Sequence, residues 1–295
     1  MTNTDRGLQS RQQSAKSEVI RFVAEHAPVH DRGDAKFMSS DNQFYQGRIT
    51  TRVNFAPDLW SIRVNPGGEF KFRPGQYATL SVQGTDKRSE RAYSIVSSPH
   101  ENEVEFFIEL VPGGELTPQL YNLQSGNEIL MRRVPKGRFL LDTNGSRKNH
   151  LLVSTVTGVA PFVSYIRSLL KDDQDGNFPA GNRLFLLNGA SRSWEFGYHQ
   201  ELANIASGAK WLTYVPTISR AWEDEAWNGE RGRVDDLLRK YIDEWRLTGE
   251  DTVAYLCGHP EMVEHSKGIL RRKGFPKEAI REEIYWVRAK KASAA

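Results

Sequence analysis

The feature that most limits how this chain can fold is a change of hydrophobic pattern near residue 143. Before it, residues 45–55, 59–64, 76–82, 91–96 and 104–110 form short runs rich in β-branched and aromatic side chains, divided by turn residues such as Asn65-Pro66-Gly67-Gly68. After it, compact apolar runs at 150–154, 184–188, 211–218 and 252–257 alternate with stretches of helical spacing at 162–171, 198–206, 234–242 and 260–273. Short strands joined by tight turns suit an antiparallel barrel, whereas strand–helix alternation supplies the crossovers that a parallel sheet requires. The chain is therefore read as two domains, an antiparallel β-barrel followed by an α/β domain with a parallel sheet. The boundaries fall at 1–42 for a polar extension expected to be disordered, 43–142 for the barrel, 143–286 for the α/β domain and 287–295 for a basic tail.

Composition narrows the function classes. The 295 residues are long enough for two ordinary domains, and no run approaches the roughly 20 apolar residues needed to span a bilayer. A net charge of +3 makes no global case for nucleic acid, though a slight basic excess suits an acidic protein partner. Cys257 is the only cysteine, so the chain cannot build an internal disulfide, a CxxC pair or an all-cysteine iron–sulfur site. Any iron–sulfur partner has to be a separate protein. The N-terminus lacks the apolar core of a secretory signal, and a cytoplasmic monomer is the expectation.

Several stretches carry chemistry. In Arg91-Ala92-Tyr93-Ser94-Ile95-Val96-Ser97-Ser98-Pro99, Arg91 and Tyr93 share one face of a strand while Ala92 and Ser94 share the other. A guanidinium matches phosphate oxygens, a tyrosine ring offers a stacking platform, and a hydroxyl can hydrogen-bond a heterocycle. A ligand with a flat ring and a phosphate tail fits that set. Val111-Pro112-Gly113-Gly114-Glu115-Leu116-Thr117-Pro118 lets the backbone approach a ligand and opens a helix at Thr117, although a plain Pro-Gly turn reads the same way. Ser154-Thr155-Val156-Thr157-Gly158-Val159-Ala160-Pro161 runs from a strand through Thr-Gly into a helix, which is an anion-receptive arrangement. Ser191-Arg192, Ser219-Arg220 and Arg231-Gly232-Arg233 put arginines at strand ends of a nucleotide-type sheet, where a dianionic phosphate would bind.

The order of these motifs resembles that of the ferredoxin–NADP(H) reductase family, bacterial type, over about residues 43–286. Arg91-Ala92-Tyr93-Ser94 followed by Ser-Ser-Pro resembles its flavin signature, Phe72-Arg73-Pro74-Gly75-Gln76-Tyr77 the phrase that precedes it, and Pro135-Lys136-Gly137-Arg138-Phe139 the loop that closes the flavin domain. Leu256-Cys257-Gly258-His259-Pro260-Glu261-Met262 resembles the C-G-x-P-x-M segment, and Tyr285-Trp286 the C-terminal aromatic pair. Val156 departs from the family's T-G-T-G by replacing the first glycine, and its β-carbon should crowd the approach of the pyrophosphate or nicotinamide.

The resemblance implies a Greek-key FAD barrel followed by an NADP(H) domain, with hydride passing between nicotinamide C4 and flavin N5. It implies FAD contacts from Arg91, Ala92, Tyr93, Ser94, Phe107, Glu115, Leu116, Thr117, Thr155, Tyr285 and Trp286. It implies NADP contacts from Thr157, Gly158, Ser191, Arg192, Ser219, Arg220, Arg233 and Gly258, with no metal. Ser94 is expected to hydrogen-bond N5, Tyr93 to stack on the ring, and Cys257 to place the nicotinamide as a packing group. The implied activity is that of a ferredoxin–NADP+ reductase working with ferredoxin or flavodoxin as a separate carrier. An NAD(P)H reductase serving an oxygenase, or a general flavin diaphorase, is the alternative. Glu223 and Asp224 follow Arg220 closely and would favour NAD if they turned toward the ribose.

Overall fold

The structure, a computed structural model, describes residues 43–83 and 89–285. The N-terminal extension, Trp286 and the basic tail lie outside those residues. Among the described residues no helix is long and apolar enough to cross a membrane.

The first domain is built from β1 (Phe44–Ala56), β2 (Leu59–Asn65), β3 (Tyr77–Ser81), β4 (Arg91–Ser94), β5 (Val104–Glu109) and β6 (Glu128–Arg132), with one short helix, α1 (Thr117–Asn122). Its strands pair antiparallel in the order β4-β3-β6-β1-β2-β5. Just past β4, Ile95 bridges Phe106, and the Val96 N–H donates to the Glu105 carbonyl at 2.9 Å. That seam joins the two ends of the order into a closed antiparallel barrel, as the sequence pattern implied, with the Greek-key order that the resemblance implied. Closure needs curvature, and β1 supplies it through register shifts between Ile49 and Thr51 and between Asn54 and Ala56.

The second domain holds β7 (Asn149–Thr155), β8 (Arg183–Ala190), β9 (Leu212–Ile218), β10 (Glu230–Arg231), β11 (Thr252–Gly258) and β12 (Ile280–Ile284). All neighbours are parallel, in the order β10-β9-β8-β7-β11-β12. Four helices cover the sheet: α2 (Ala160–Gln174), α3 (His199–Gly208), α4 (Val234–Glu244) and α5 (Pro260–Arg272). The chain leaves β7 toward β8 on one side and returns to β11 on the other, so the switch point of the sheet lies between the ends of β7 and β11. The sequence pattern did not separate out β10, which is two residues long, or give β12 its full extent.

The two domains are packed through β5. Val104, Phe106 and Ile108 point into the barrel core with Trp60 and Ile62, while Phe107 points into a second core shared with Tyr165 and Ile166 of α2. Burial on both faces explains why the run Val-Glu-Phe-Phe-Ile-Glu is so apolar for an antiparallel strand. Glu105, 4% exposed, sits on the same face as Phe107. Its carboxylate accepts from Arg167 Nη1 of α2 at 2.7 Å, Arg63 Nη2 at 2.9 Å and the Tyr198 hydroxyl at 2.8 Å. Arg167 in turn holds Glu201 of α3 with Nε at 2.6 Å and Nη2 at 2.9 Å. Ser164 Oγ donates to the Ser97 carbonyl, and Ser98 and Ser168 hydroxyls meet at 3.1 Å.

Removing one partner from a buried ion pair leaves the other charge uncompensated. Arg167→Met is therefore expected to cost about 3 kcal/mol of unfolding free energy, the low end for such changes because Arg63 and Tyr198 still reach Glu105. The double variant Arg167→Met/Glu105→Gln should recover part of that loss. Urea melts of wild type, single and double variants check both expectations.

Candidate functional site

A cleft of about 280 Å³ opens at the switch point. Its lining includes Glu109 from the end of β5, Thr155 and Thr157 after β7, Ser191 and Ser219 after β8 and β9, Arg233 before α4, and Gly258 and His259 after β11. Ligands of open parallel sheets bind in this position, outside the carboxyl ends of the strands. Thr155, Thr157, Ser191, Ser219, Arg233, Gly258 and Tyr285, dispersed over 131 positions of sequence, thus line one cavity.

Close backbone approach builds the floor of the cleft. Gly158 lies so near the Cys257 carbonyl that a β-carbon would collide with it. Gly258, at φ +131, would place a β-carbon against Thr155 Oγ1. That hydroxyl instead accepts the His259 N–H at 3.0 Å, tying the ends of β7 and β11 together. The Thr157 carbonyl accepts from Ala160 N at the start of α2. Between these fixed points Val156 takes φ +43, a left-handed conformation that costs a β-branched residue about 1–3 kcal/mol.

On the barrel side, β4 presents Arg91, Tyr93 and Ser94. Tyr93 packs against the barrel core, and burial pushes its phenol above the usual range while Arg91 pulls it back. Ser94, 8% exposed, faces the second domain and donates Oγ–H to Glu283 Oε1 of β12 at 2.8 Å. Burial raises the Glu283 carboxyl pKa, and the Ser94 hydrogen bond opposes that rise. Cys257 is fully buried, and desolvation holds its thiol well above the ordinary range, with Glu283 adding to the shift. An unionised thiol is no nucleophile, which leaves Cys257 a packing role. The Tyr285 hydroxyl is buried beside Ser94 and Cys257, without a well-aligned hydrogen bond to either.

Other residues expected to contact a ligand lie outside this cleft's lining. Phe107 does not line the cleft. Its ring is enclosed edge-on by Phe55 at 5.5 Å and Tyr198 at 5.1 Å, because the strand turns that face toward the second domain. Leu116 is 1% exposed and belongs to the barrel core. Thr117 Oγ1 closes its own loop, accepting the Val111 N–H at 3.0 Å. Glu115 accepts from Arg91 Nη2 at 2.8 Å and from Ser89 Oγ at 3.1 Å, so the carboxylate occupies a face of the guanidinium expected to meet phosphate. Ala92 is exposed on the strand. Trp286 lies outside the described residues.

The three arginines do not gather round an open space. Arg192 Nε donates to Glu223 at 2.6 Å and Nη1 to Glu195 at 3.1 Å. Arg220 Nη1 approaches the same Glu223 at 3.7 Å, and Arg233 Nε meets Asp235 at 3.3 Å. Arg192 and Arg220 thus flank one carboxylate, while Arg233 and Ser219 face the cleft. Asp235 also takes His265 Nδ1 at 2.7 Å, which gathers Asp235, Asp236 and His265 into a small acidic cluster with its ligand-type atoms within 4.8 Å of one another. A larger hollow of about 380 Å³ beside β1 contains none of the expected residues. Arg52 stacks there on Trp60 and Tyr121 and donates to the carbonyls of Tyr121 and Leu123.

Two carboxylates were passed over in sequence. Glu283 was hidden in a Glu-Glu pair, and only the alternation of β12 turns it inward. Glu109 ends β5 at the mouth of the cleft, its side chain exposed to solvent on the outer side and hemmed in by the cleft wall on the inner. Burial, then the like charges of Asp58 and Glu195, pushes its carboxyl up to about 7.

The comparisons agree with this geometry. Residues 49–140 match the model of the oxidoreductase FAD-binding domain, and residues 152–268 match that of the oxidoreductase NAD-binding domain. The chain is 30% identical over 250 residues to the ferredoxin–NAD(P)(+) reductase component of the naphthalene 1,2-dioxygenase system of Pseudomonas putida, covering 82% of this chain and 69% of that protein. It is 27% identical over 242 residues to the ferredoxin–NADP reductase of Pseudomonas aeruginosa, covering 78% and 90%. A crystal structure of a ferredoxin NADP+ reductase from Neisseria gonorrhoeae with bound FAD and NADP has the same fold, with TM-score 0.71 and 24% identity over 83% of this chain and 99% of that one.

The position of Glu109 sets a pH dependence. A carboxyl whose folded pKa lies above the unfolded value of 4.5 binds more protons folded than unfolded between about 4.5 and 7. Its contribution to stability is therefore present at low pH and is lost as pH rises through that window. Glu109→Gln is expected to gain stability relative to wild type on going from about pH 5 to about pH 8. Urea midpoints of both proteins at the two pH values measure the difference.

Proposed function

Because the chain belongs to the ferredoxin–NADP reductase family, we propose that it is a ferredoxin–NADP+ reductase. In this reading it exchanges hydride with NADP(H) and single electrons with a separate ferredoxin or flavodoxin. The observation that carries the reading is the Ser94–Glu283 hydrogen bond, which joins the strand with the flavin signature to the last strand of the dinucleotide sheet across 189 residues.

The residues fit a flavin. Tyr285 offers a buried hydroxyl with no well-aligned partner, Ser94 a hydroxyl whose oxygen can still accept, and Tyr93 a ring beside a guanidinium. Arg91 would hold the pyrophosphate, Tyr93 would stack on the ring and Ser94 would meet N5. FAD, when bound, accepts hydride and passes on single electrons, while the protein positions and tunes it. Ser94 gives its own proton to Glu283, so its oxygen is left to accept a hydrogen bond from a ligand. Glu283, whose carboxyl pKa burial raises, lies one hydrogen bond behind Ser94. Thr155 and Gly258 hold the β7 and β11 ends together; Thr157 and Gly158 would supply the loop for the pyrophosphate, and Cys257 would place the nicotinamide as a packing group.

On the coenzyme side, Ser219 and Arg233 face the cleft and would take the 2′-phosphate, with Arg220 and Arg192 joining once Glu223 yields. A 2′-phosphate must compete with a carboxylate already held by two arginines, so a preference for NADPH of about 10² is expected, from one or two charge-assisted contacts. Arg220→Ala and Arg233→Ala should each erode it, mainly through the NADPH Michaelis constant, and Glu223→Gln should strengthen it. The second reading, a reductase serving an oxygenase with NADH, is favoured by that same Glu223. If Glu223→Gln lowers kcat/KM for NADH without improving NADPH, the carboxylate is a ribose ligand and the second reading holds.

Two further measurements test the proposal. Steady-state reduction of candidate ferredoxins and flavodoxins, with NADPH against NADH, tests the activity itself. Failure with every carrier alongside rapid reduction of small dyes would make the chain a diaphorase. Arg91→Ala should lose roughly 1.5–3 kcal/mol of FAD binding. Its fold should be unchanged, since Glu115, the partner left behind, is 59% exposed. Retention of stoichiometric FAD at unchanged affinity would remove Arg91 from the flavin site.

A further inference from the structure

Val156 holds a backbone conformation that its side chain opposes. At φ +43 it lies where glycine is the default and a β-branched residue is an outlier. Among the described residues one other non-glycine, Arg246 at φ +55, has positive φ. Arg246 follows the C-terminus of α4, where a left-handed residue is the ordinary way to stop a helix. Val156 stops nothing. It opens the turn Val156–Val159 directly after β7, at the switch point.

The surroundings explain why the conformation persists. Thr155 is fixed by the His259 N–H, and Gly158 is pressed against the Cys257 carbonyl with no room for a β-carbon. Residue 156 takes whatever φ connects those two anchors. A glycine would do so without strain, so folding does not call for valine here. The side chain lines the cleft between Thr155 and Thr157, in a lining that also contains Glu109, Gly258 and Tyr285. It packs against the interdomain core that contains Phe107 and Cys257, while Ser219 and Arg233 stand at the ends of other elements, β9 and α4. Strained residues cluster where a ligand is handled, and the inference runs from the outlier to the function.

We propose that Val156 is a specificity-determining side chain that narrows the nicotinamide end of the dinucleotide cleft. The inference rests on the dinucleotide reading of that cleft. The branched carbons fill space that a glycine would leave to a planar ring, so the ring half of the coenzyme enters only by displacing them. The phosphate half, held by Ser219 and Arg233, is indifferent to residue 156.

The test uses the full chain with FAD and the variants Val156→Gly and Val156→Ala, with calorimetric titration of NADP+ and of 2′,5′-ADP, which has the phosphate but no nicotinamide. Val156→Gly is expected to raise the thermal midpoint, because glycine relieves φ. It is also expected to tighten NADP+ by about ten- to a hundredfold, the usual effect of small volume changes in a pocket, and to leave 2′,5′-ADP unchanged. Val156→Ala keeps the β-carbon and should tighten NADP+ partway without the gain in midpoint. Unchanged NADP+ affinity in Val156→Gly, or equal tightening of both ligands, overturns the proposal while leaving the dinucleotide reading intact. Failure of wild type to bind either ligand overturns that reading, and this one with it.

Discussion

A single carboxylate, that of Glu105, decides how the two halves of this protein sit together. It is buried on a barrel strand and satisfied from three directions, by Arg63 of its own domain and by Arg167 and Tyr198 of the other. A buried charge of this kind tolerates few alternative geometries, because any sliding of the domains would strand it without partners. The aromatic contacts of Phe107 with Phe55 and Tyr198, and the serine contacts of Ser97 and Ser98 with α2, add area to a position the ion network has already specified. The cleft inherits its shape from that arrangement. Glu109, two residues beyond Phe107, reaches the cleft because β5 is clamped.

Much of this was legible in the sequence, for a definite reason. Local periodicity reports which face of an element is buried, so the switch from short strands to strand–helix alternation gave both architectures and the strand ends where the site lies. Periodicity does not report what an inward charge will meet. Glu105 and Arg167 are 62 positions apart, and in sequence each looks like a solvated charge among apolar neighbours. Glu283 was concealed for the same reason, since its role depends on a strand that pairs with β11 rather than on anything adjacent to it. The dinucleotide motifs were legible because close backbone approach demands glycine at fixed points, as at Gly158 and Gly258.

The arginines teach a complementary lesson. Reading Arg192, Arg220 and Arg233 as a phosphate cage weighed Glu223 only as a ribose ligand, and left out Glu223, Glu195 and Asp235 as partners of the arginines themselves. Glu223 and Asp235 were visible in sequence, but which side of the chain they face is a tertiary fact. In the folded protein they neutralise much of the field the arginines would project. In the proposed NADPH reading, selectivity would be a matter of exchange, one anion for another, and not of simple attraction. Arg91 and Glu115 repeat the pattern at the barrel end. At both ends the arginines are held in place by acidic neighbours.

The pairing of β1 with β6 has a consequence for how the chain comes to be folded. Phe44 faces Arg132, so every strand of the barrel has left the ribosome well before the second sheet can form. That sheet must wait longer, since its central pair, β7 with β11, joins residues about a hundred positions apart. During the interval a finished barrel carries Leu59, Phe107 and Glu105 on a face whose cover has not yet been made. The newborn chain is thus most vulnerable to self-association through the surface that later becomes the domain junction. Synthesis order, and not only final stability, bears on how much of it survives.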